Sequence, residues 1–439
     1  MTEETVKQPS SEPVRSGHWL PKVPTWNKWR RFWAQFWAIP FVTSVLAIVA
    51  GIALPYLDHT LTAQIPHVFA ANSASALGIL TTISTAMISI TGLVFSITIV
   101  VLQLAASQFT PRILGTFLQS RVTQLTLGVF TGTFLYALTV LHAVRNTNEF
   151  IPQLAIGFAY VLVVTCIGFF LAFIQHITKS VFVTQVIRDI SRTTFKTLDR
   201  MSPRSEEIDT THQPNAWIKP EGVLETPLIL HEGDDRLSDI DYHHLVAVSA
   251  HLDITIELDV QVGSFIASGT RIGTIYGNLK NPDETLERIR QGFVLSPQRS
   301  MRQDTAFGIR QLVDIAGRAL SVGINDPLTA VEVVNALHAI LTRVVTRPTP
   351  IPYVTDYQGN VRLIYKPQTA RDLITLATTE IAGWGATSVI VTRQLRKMLR
   401  DLSAIALEEH QQPLRNATET VNALDQTPPI VRASTAIVE

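Results

Sequence analysis

Cysteine is almost missing from this sequence: Cys166 is the one thiol in 439 residues. No disulfide can form within the chain, and no cysteine-based zinc site can be assembled. A surplus of charge is missing too. The 36 basic and 36 acidic side chains cancel, which disfavours nucleic-acid binding, where a basic excess is the usual footprint. Also lacking are G-x-S-x-G, a P-loop, H-E-x-x-H and the dinucleotide-binding glycine pattern. The sequence therefore points away from an enzyme and names no catalytic residue, cofactor or metal ligand set. The largest lack is local. From Phe32 to Thr178 only Asp58, Arg112, Arg121, Arg145 and Glu149 carry charge, leaving 67 of the 72 charges to the other 292 residues. That remainder, about 23% charged, is usual for soluble protein. One part of the chain is suited to lipid and the other to water.

What is there is a set of long apolar runs. A hydrocarbon core about 30 Å thick needs roughly 20 apolar helical residues. Four segments qualify: Trp33 to about Tyr56, about Ala74 to Phe109, the gap between Arg121 and Arg145, and the gap between Glu149 and Lys179. Pro152 suits the first turn of the fourth. Basic residues flank one side: Lys22, Lys28, Arg30 and Arg31 before the first run, Arg112 and Arg121 between the second and third, and Lys179, Arg188, Arg192, Lys196 and Arg200 after the fourth. The other side carries Arg145 alone, beside Asp58 and Glu149. By the positive-inside rule both termini are cytoplasmic and the external loops short. The polar N-terminal stretch is longer than that of a cleaved signal peptide. Trp26, Trp29, Trp33 and Trp37 share a helical face beside Lys28, Arg30 and Arg31, which reads as an interfacial helix leading into the first span.

The second run carries a polar stripe. Thr82, Thr85, Ser89, Gly92, Ser96, Gln103 and Ser107 step by 3, 4, 3, 4, 7 and 4, which is one face of a helix. The opposite positions, Ile83, Ile90, Leu93, Val94, Ile97, Val101 and Leu104, are compatible with lipid. Small and hydroxylated residues let helices approach and bond across an interface. The same residues can instead line a hydrated path, with hydroxyls and carbonyls replacing part of an ion's water shell. No charge lies within the span, which disfavours a proton relay. Thr110–Pro111 is expected to end the helix. After the fourth run, Val183, Val186, Ile187, Ile190 and Leu198 keep helical spacing, as a rigid stalk or as an amphipathic helix lying on the membrane.

Beyond a polar, proline-bearing linker at 202–222, the pattern becomes mixed. Val223–Leu230 and Ile254–Val260 read as strands, and Asp241 as the cap of a short helix reaching His251. Val262–Ile275 resembles the V-G-x-x-V-x-x-G-x-x-L turn of lipoyl/biotinyl-type barrels. That likeness implies a small barrel with Gly263 and Gly269 at its turns and Ile266, Ile272 and Ile275 inside. The modifiable lysine of that family, set between two methionines, is absent, so no covalent cofactor is implied. His231, Glu232, Asp234, Asp235, Asp241, His243, His244 and His251 read as surface loop and helix face. From Pro282 onward the pattern is helical. Asp304–Leu320 carries an apolar face of Phe307, Leu312, Ile315, Ala316 and Ala319, and Arg310, Asp314 and Arg318 are spaced to pair. In Ser321–Pro327, Gly323 suits a left-handed helix stop, Asp326 an N-cap and Pro327 the first position of a helix reaching Val345. Gly323, Asn325 and Asp326 are a candidate binding turn for an ion, a phosphate-bearing ligand or the stalk; capping alone explains them equally. Asp356–Asn360 has turn chemistry joining two short strands, and helices follow at about Pro367–Ala382 and Thr387–Leu407.

The expected architecture is a four-span α-helical transmembrane bundle with a cytosolic α+β domain, comprising a small β-barrel-like module and a helical C-terminal part. Its segments are 1–31 (N-terminal interfacial segment), 32–178 (spans), 179–222 (stalk and linker), 223–280 (β module), 283–412 (helical part) and 413–439 (mobile tail). The Val94–Thr98 core of the second span, Ser107–Arg112, the barrel-like turn, Arg302–Arg310 and Gly323–Pro327 together resemble a bacterial family of multi-pass membrane proteins known only as a domain of unknown function. The likeness runs from about residue 35 to 410 and departs from the family at the acidic 231–240 segment. It implies an inner-membrane location and transfers no activity. The functional expectation is a channel-like or transport-related protein with a cytosolic regulatory domain. The alternative is a non-conducting sensor or scaffold whose cytosolic domain binds a partner. Expected partners are the lipid bilayer, further copies of the chain, and a cytosolic protein or small ligand; nucleic acid is not among them.

Overall fold

The computed structural model describes residues 35–61, 73–108, 120–146, 152–180, 182–202, 217–230 and 233–426. The chain divides into two compact units, one within residues 26–186 and one from Ile187 onward. The tryptophan-rich interfacial helix and the Thr110–Pro111 stop lie outside the described residues, except Trp37, whose ring meets Phe41 edge-on at 6.1 Å.

The first unit is built from α1 (Ala38–Leu61), α2 (Ser73–Gln108), α3 (Arg121–Asn146) and α4 (Gln153–Ser180). The third helix is central and packs on the other three. It is also the least apolar of the four, and it buries Gln124, Thr126 and Thr133 together with Phe130, Tyr136 and Val140. Placing those polar groups inside protein keeps them out of hydrocarbon, where an unmatched group is costly. A Gly-x-x-x-Gly pair brings α1 and α3 close. A Cβ on Gly128 would meet Thr43 Oγ1 at 2.6 Å and the Pro40 backbone at 3.2 Å, and one on Gly132 the Thr43 carbonyl at 3.3 Å. Gly51 on α1 lies in the same way against Thr139. In lipid, where aliphatic chains gain little by leaving their solvent, such close backbone approach is a main source of helix association. The buried Asp58 carboxylate accepts the Leu154 N–H at 2.8 Å, capping the start of α4, and the Tyr136 hydroxyl donates to the Ala155 carbonyl at 2.8 Å.

The second unit contains α5 (Val183–Met201) from Ile187 on. Its five-stranded sheet has the order β1-β5-β3-β8-β7, from β1 (Glu225–Ile229), β5 (Arg271–Tyr276), β3 (Thr255–Leu258), β8 (Val361–Ile364) and β7 (Tyr353–Thr355). A three-stranded sheet joins β4 (Phe265–Ile266), β2 (Asp235–Ile240) and β6 (Phe293–Ser296). The expected closed barrel is not formed. Gly263 and Gly269 do take positive φ, at +92° and +77°, and Ile266, Ile272 and Ile275 are fully buried. However, β3 pairs in parallel with β8 from a hundred residues later, so the sheet stays open. Two short helices flank the strands, α6 (Tyr242–Leu252), capped by Asp241, and α7 (Pro282–Arg290). The acidic segment expected as surface loop is, over Asp235–Ile240, a strand with Leu237 and Ile240 buried.

A helical layer follows: α8 (Thr305–Ala319), α9 (Pro327–Val345), α10 (Ala370–Trp384), α11 (Val389–Ile405) and α12 (Gln411–Gln426). The last of these covers residues expected to begin a mobile tail; it buries Leu414 and Val421 against α10 and α11. Among the described residues, five helices are long and apolar enough to cross a membrane by length and composition: α1 to α4, and α9.

Replacing Gly128 with leucine should lower the detergent-solubilised protein's melting temperature, by an overpacking cost of about 1–3 kcal/mol. The same change at Gly92, which has nothing within 4 Å of an added Cβ, should leave the isolated chain's melting unaltered. Equal effects at the two sites would contradict this helix packing.

Candidate functional site

Helix α2 places the polar stripe on its outward side. Thr82, Thr85, Ser89, Gly92, Ser96 and Gln103 are all exposed on the single chain. Ser107 lies in the same helix, its side chain outside those described. Of the lipid-compatible positions opposite, Ile83 and Val94 are buried inside the unit, Ile90, Ile97 and Val101 are half-buried, and Leu93 and Leu104 are exposed. Large aliphatic side chains fill the contact with α3 and α4 because they supply the dispersion contacts that a close-packed interior requires. Two hydroxyls on the outer face are satisfied locally. Thr82 Oγ1 donates to the Gly78 carbonyl at 2.8 Å and Ser89 Oγ to the Thr85 carbonyl at 2.9 Å. Their oxygen lone pairs still point outward, giving a face that lipid tolerates and that another polar surface can bond.

The second candidate, the α8–α9 turn, is a capping structure. Asp326 Oδ1 accepts the Thr329 N–H at 3.1 Å and Oδ2 its hydroxyl at 2.7 Å, while the Asp326 N–H donates to the Ala319 carbonyl at 2.7 Å. Those bonds from Thr329 hold the Asp326 carboxyl below the usual carboxylate value. The left-handed residue is Asn325, at φ +48°, where Gly323 was expected; Gly323 is not among the positive-φ glycines. Asparagine tolerates this region because its short side chain bonds locally. With its own carboxylate at the start of α9, the turn already supplies the negative charge that a bound anion would bring.

Sequence reasoning missed a polar joint around Arg302–Arg310, where it saw a family resemblance, an apolar helix face and the pairing of Arg310. Gln303 clasps the Ile240 backbone, accepting its N–H and donating to its carbonyl, both at 3.0 Å. Asp304 caps α8 through the Phe307 N–H at 2.9 Å, accepts Gln368 Nε2 at 2.8 Å and takes Arg299 Nη2 at 2.7 Å. An added Cβ on Gly263 would lie 2.4 Å from Asp304 Oδ2, so glycine is needed there for space as well as for its φ. Gly308 lets Thr194 of α5 approach, and the Thr197 hydroxyl donates to the Met301 carbonyl. Asp199 on α5 pairs with Arg347 and, at 3.6 Å, with Arg343. The amphipathic α5, expected as stalk or surface helix, thus buries Ile187, Ile190 and Leu198 within this unit. Asp239 on β2 is the odd member. It is buried, with Oδ1 unbonded and 3.6 Å from Arg302 Nε, and burial pushes its carboxyl up despite the arginine.

Residues 33–401 match the family described as predicted membrane protein, DUF2254. The chain belongs to this family. The match takes in both the α2 stripe and the Asp326 turn. Two uncharacterized proteins are similar to it, Mb1321c of Mycobacterium bovis and Rv1290c of Mycobacterium tuberculosis. Each is 29% identical over 416 residues, covering 91% of this chain and 76% of the relative. No solved structure matches the chain. Membership makes this a membrane protein and assigns it no reaction.

Removing the Asp326 cap tests the turn. Asp326→Ala should destabilise the second unit by about 0.5–2 kcal/mol at neutral pH. Because the folded carboxyl lies below its ordinary 3.8, the stabilisation is present above that value and is lost as pH falls through the folded one. Wild type and variant should therefore converge in chemical melts below about pH 4. A gap that persists in acid would refute the cap.

Proposed function

We propose that the protein is an oligomeric, channel-like or transport-related protein of a bacterial inner membrane, with its second unit in the cytosol as the regulatory part. In this reading α1 to α4 are the four spans and both termini are cytoplasmic. The flanking lysines and arginines support the orientation. The burial of α9 among α8, α10 and α11, with Val333, Leu337 and Ile340 inside, accounts for its apolar character without a fifth crossing. The observation that carries the proposal is the outward stripe. One chain leaves Thr82, Thr85, Ser89, Gly92 and Ser96 uncovered, so a polar path along them requires further copies.

A second reading is a non-conducting sensor or scaffold in which the stripe only joins copies. It is favoured by the hydroxyl protons of Thr82 and Ser89 being committed to their own helix, and by small residues suiting close helix contact.

Ser89→Leu and Ser96→Leu separate the two. Both positions face outward, so the single chain should keep its stability within about 0.5 kcal/mol. If the stripe lines a path, conductance or flux in reconstituted bilayers is lost while cross-linked oligomers persist. If it joins copies, the oligomers dissociate. Wild-type protein that stays silent under every osmotic and voltage condition rules out the channel reading. Reporter tags placing the two termini on opposite sides would overturn the four-span topology.

A further inference from the structure

We infer that the second unit carries a lipid-inserting tip, formed by its two helix-hairpin turns, which docks on an anionic membrane surface. The turns lie at one end of the helical layer. Asp304 bonds Gln368, Arg310 bonds Glu380, and Gly317 lies against the Trp384 ring. Helices α8 and α10 therefore run side by side in the same direction and finish together. Asn335 meets Gln394 and the Val345 carbonyl accepts from Leu407, so α9 and α11 both start at that end.

This end exposes what a water-facing turn avoids. Val322 is fully exposed, Leu328 and Val389 are more than two-thirds exposed, and Ile324, Trp384 and Ile390 are also out. The connection Ser321–Pro327 needs only the capping of Asp326 and the left-handed Asn325 to close; nothing in its geometry calls for valine, isoleucine and leucine outside. Arg318, Arg393 and Lys397 are exposed on the helices behind these side chains. The acidic groups on the same elements are Asp326, occupied by Thr329, the exposed Glu332 on α9, Asp314 and Glu380, both engaged by Arg310, and Asp372 and Asp401, which lie toward the far ends of α10 and α11. An apolar crown with aromatic and basic residues behind it is the pattern of a surface that enters the headgroup layer of an anionic bilayer.

The chain's own path sets the direction. Helix α5 is antiparallel to α8, since Thr197 meets Met301 and Thr194 meets Gly308. From Thr194 back to Ile187, where the chain comes into this unit, is about 11 Å of helix; from Gly308 forward to Ala319 is about 17 Å. The hairpin tip thus projects beyond Ile187, at the end of this unit where the chain enters it. The inference needs membership of a membrane family and does not depend on the α2 stripe conducting or joining copies.

The test uses the full chain in phosphatidylcholine nanodiscs with and without phosphatidylglycerol, in a Cys166→Ala background. An environment-sensitive fluorophore is placed at Val322→Cys, or at Tyr357→Cys on the β7–β8 turn as an exposed control. At 322 we expect blue-shifted emission, quenching by nitroxide-labelled lipid and lost quenching by iodide, all enhanced by phosphatidylglycerol and reduced by Leu328→Asp with Val389→Asp. The control should be quenched by iodide alone. Iodide quenching at 322 equal to the control, without nitroxide quenching, overturns the inference. Shielding of 322 from both quenchers also overturns it, in favour of a protein contact.

Discussion

Hydrocarbon offers neither hydrogen-bond partners nor counter-charge, and the first unit is arranged around that deficit. Its helices satisfy their own backbones, which leaves the side chains to be placed. The helix richest in polar groups, α3, sits in the middle, where Thr133 and Cys166 face each other at 3.3 Å and Tyr136 reaches the first turn of α4. The acid Asp58 meets the N-terminus of α4, where free N–H groups and the helix dipole favour a carboxylate. Hydroxyls that cannot reach the interior turn back onto their own carbonyls, as Thr82, Ser89 and Thr98 do. With polar groups accommodated in these ways, helix approach is left to glycine: Gly51, Gly128 and Gly132 form the contact between α1 and α3.

The second unit is charged as a soluble protein is, and polar groups there take the opposite part. Burying Gln303, Asp304 and Arg347 would be costly if they were unmatched. Each is matched, and the matches join elements distant in sequence: β2 to α8, α8 to α10, and α5 to α9. An apolar core alone tolerates many arrangements; a carboxylate that must meet a helix N-terminus, an arginine and a glutamine together tolerates few. The segment that carries the family likeness, Arg302–Arg310, is this joint, which ties the incoming helix α5 to both the strands and the helical layer.

What the sequence made legible was local. The caps at Asp241 and Asp326, the Asp356–Asn360 turn, and the glycines at 263 and 269 follow from short-range sterics and hydrogen bonding, and each is found in place. The closed barrel failed because the neighbour of β3 comes from residues 361–364, a pairing no local pattern encodes. Strand β2 was obscured because its polar members, Ser238 and Asp239, are buried beside apolar ones, so the segment lacks alternation. Asn325 replaced Gly323 at the left-handed position because two residue types tolerate that conformation and the spacing to Asp326 decides between them.

The stripe on α2 shows a deeper limit. Six of its seven positions, from Thr82 to Gln103, share the exposed side of α2, since helical periodicity needs only the sequence. Which way that face points was not legible, because the usual rule rests on a contrast between apolar interior and aqueous exterior. Inside a bilayer that contrast vanishes: Ile83 and Val94 gain nothing from lipid that they do not gain from α3, and packing density decides instead. The aliphatic side chains then take the interior of the single chain, and the small hydroxylated ones are left outside. An outward polar face on α2 is thus a direct consequence of how the apolar side packs.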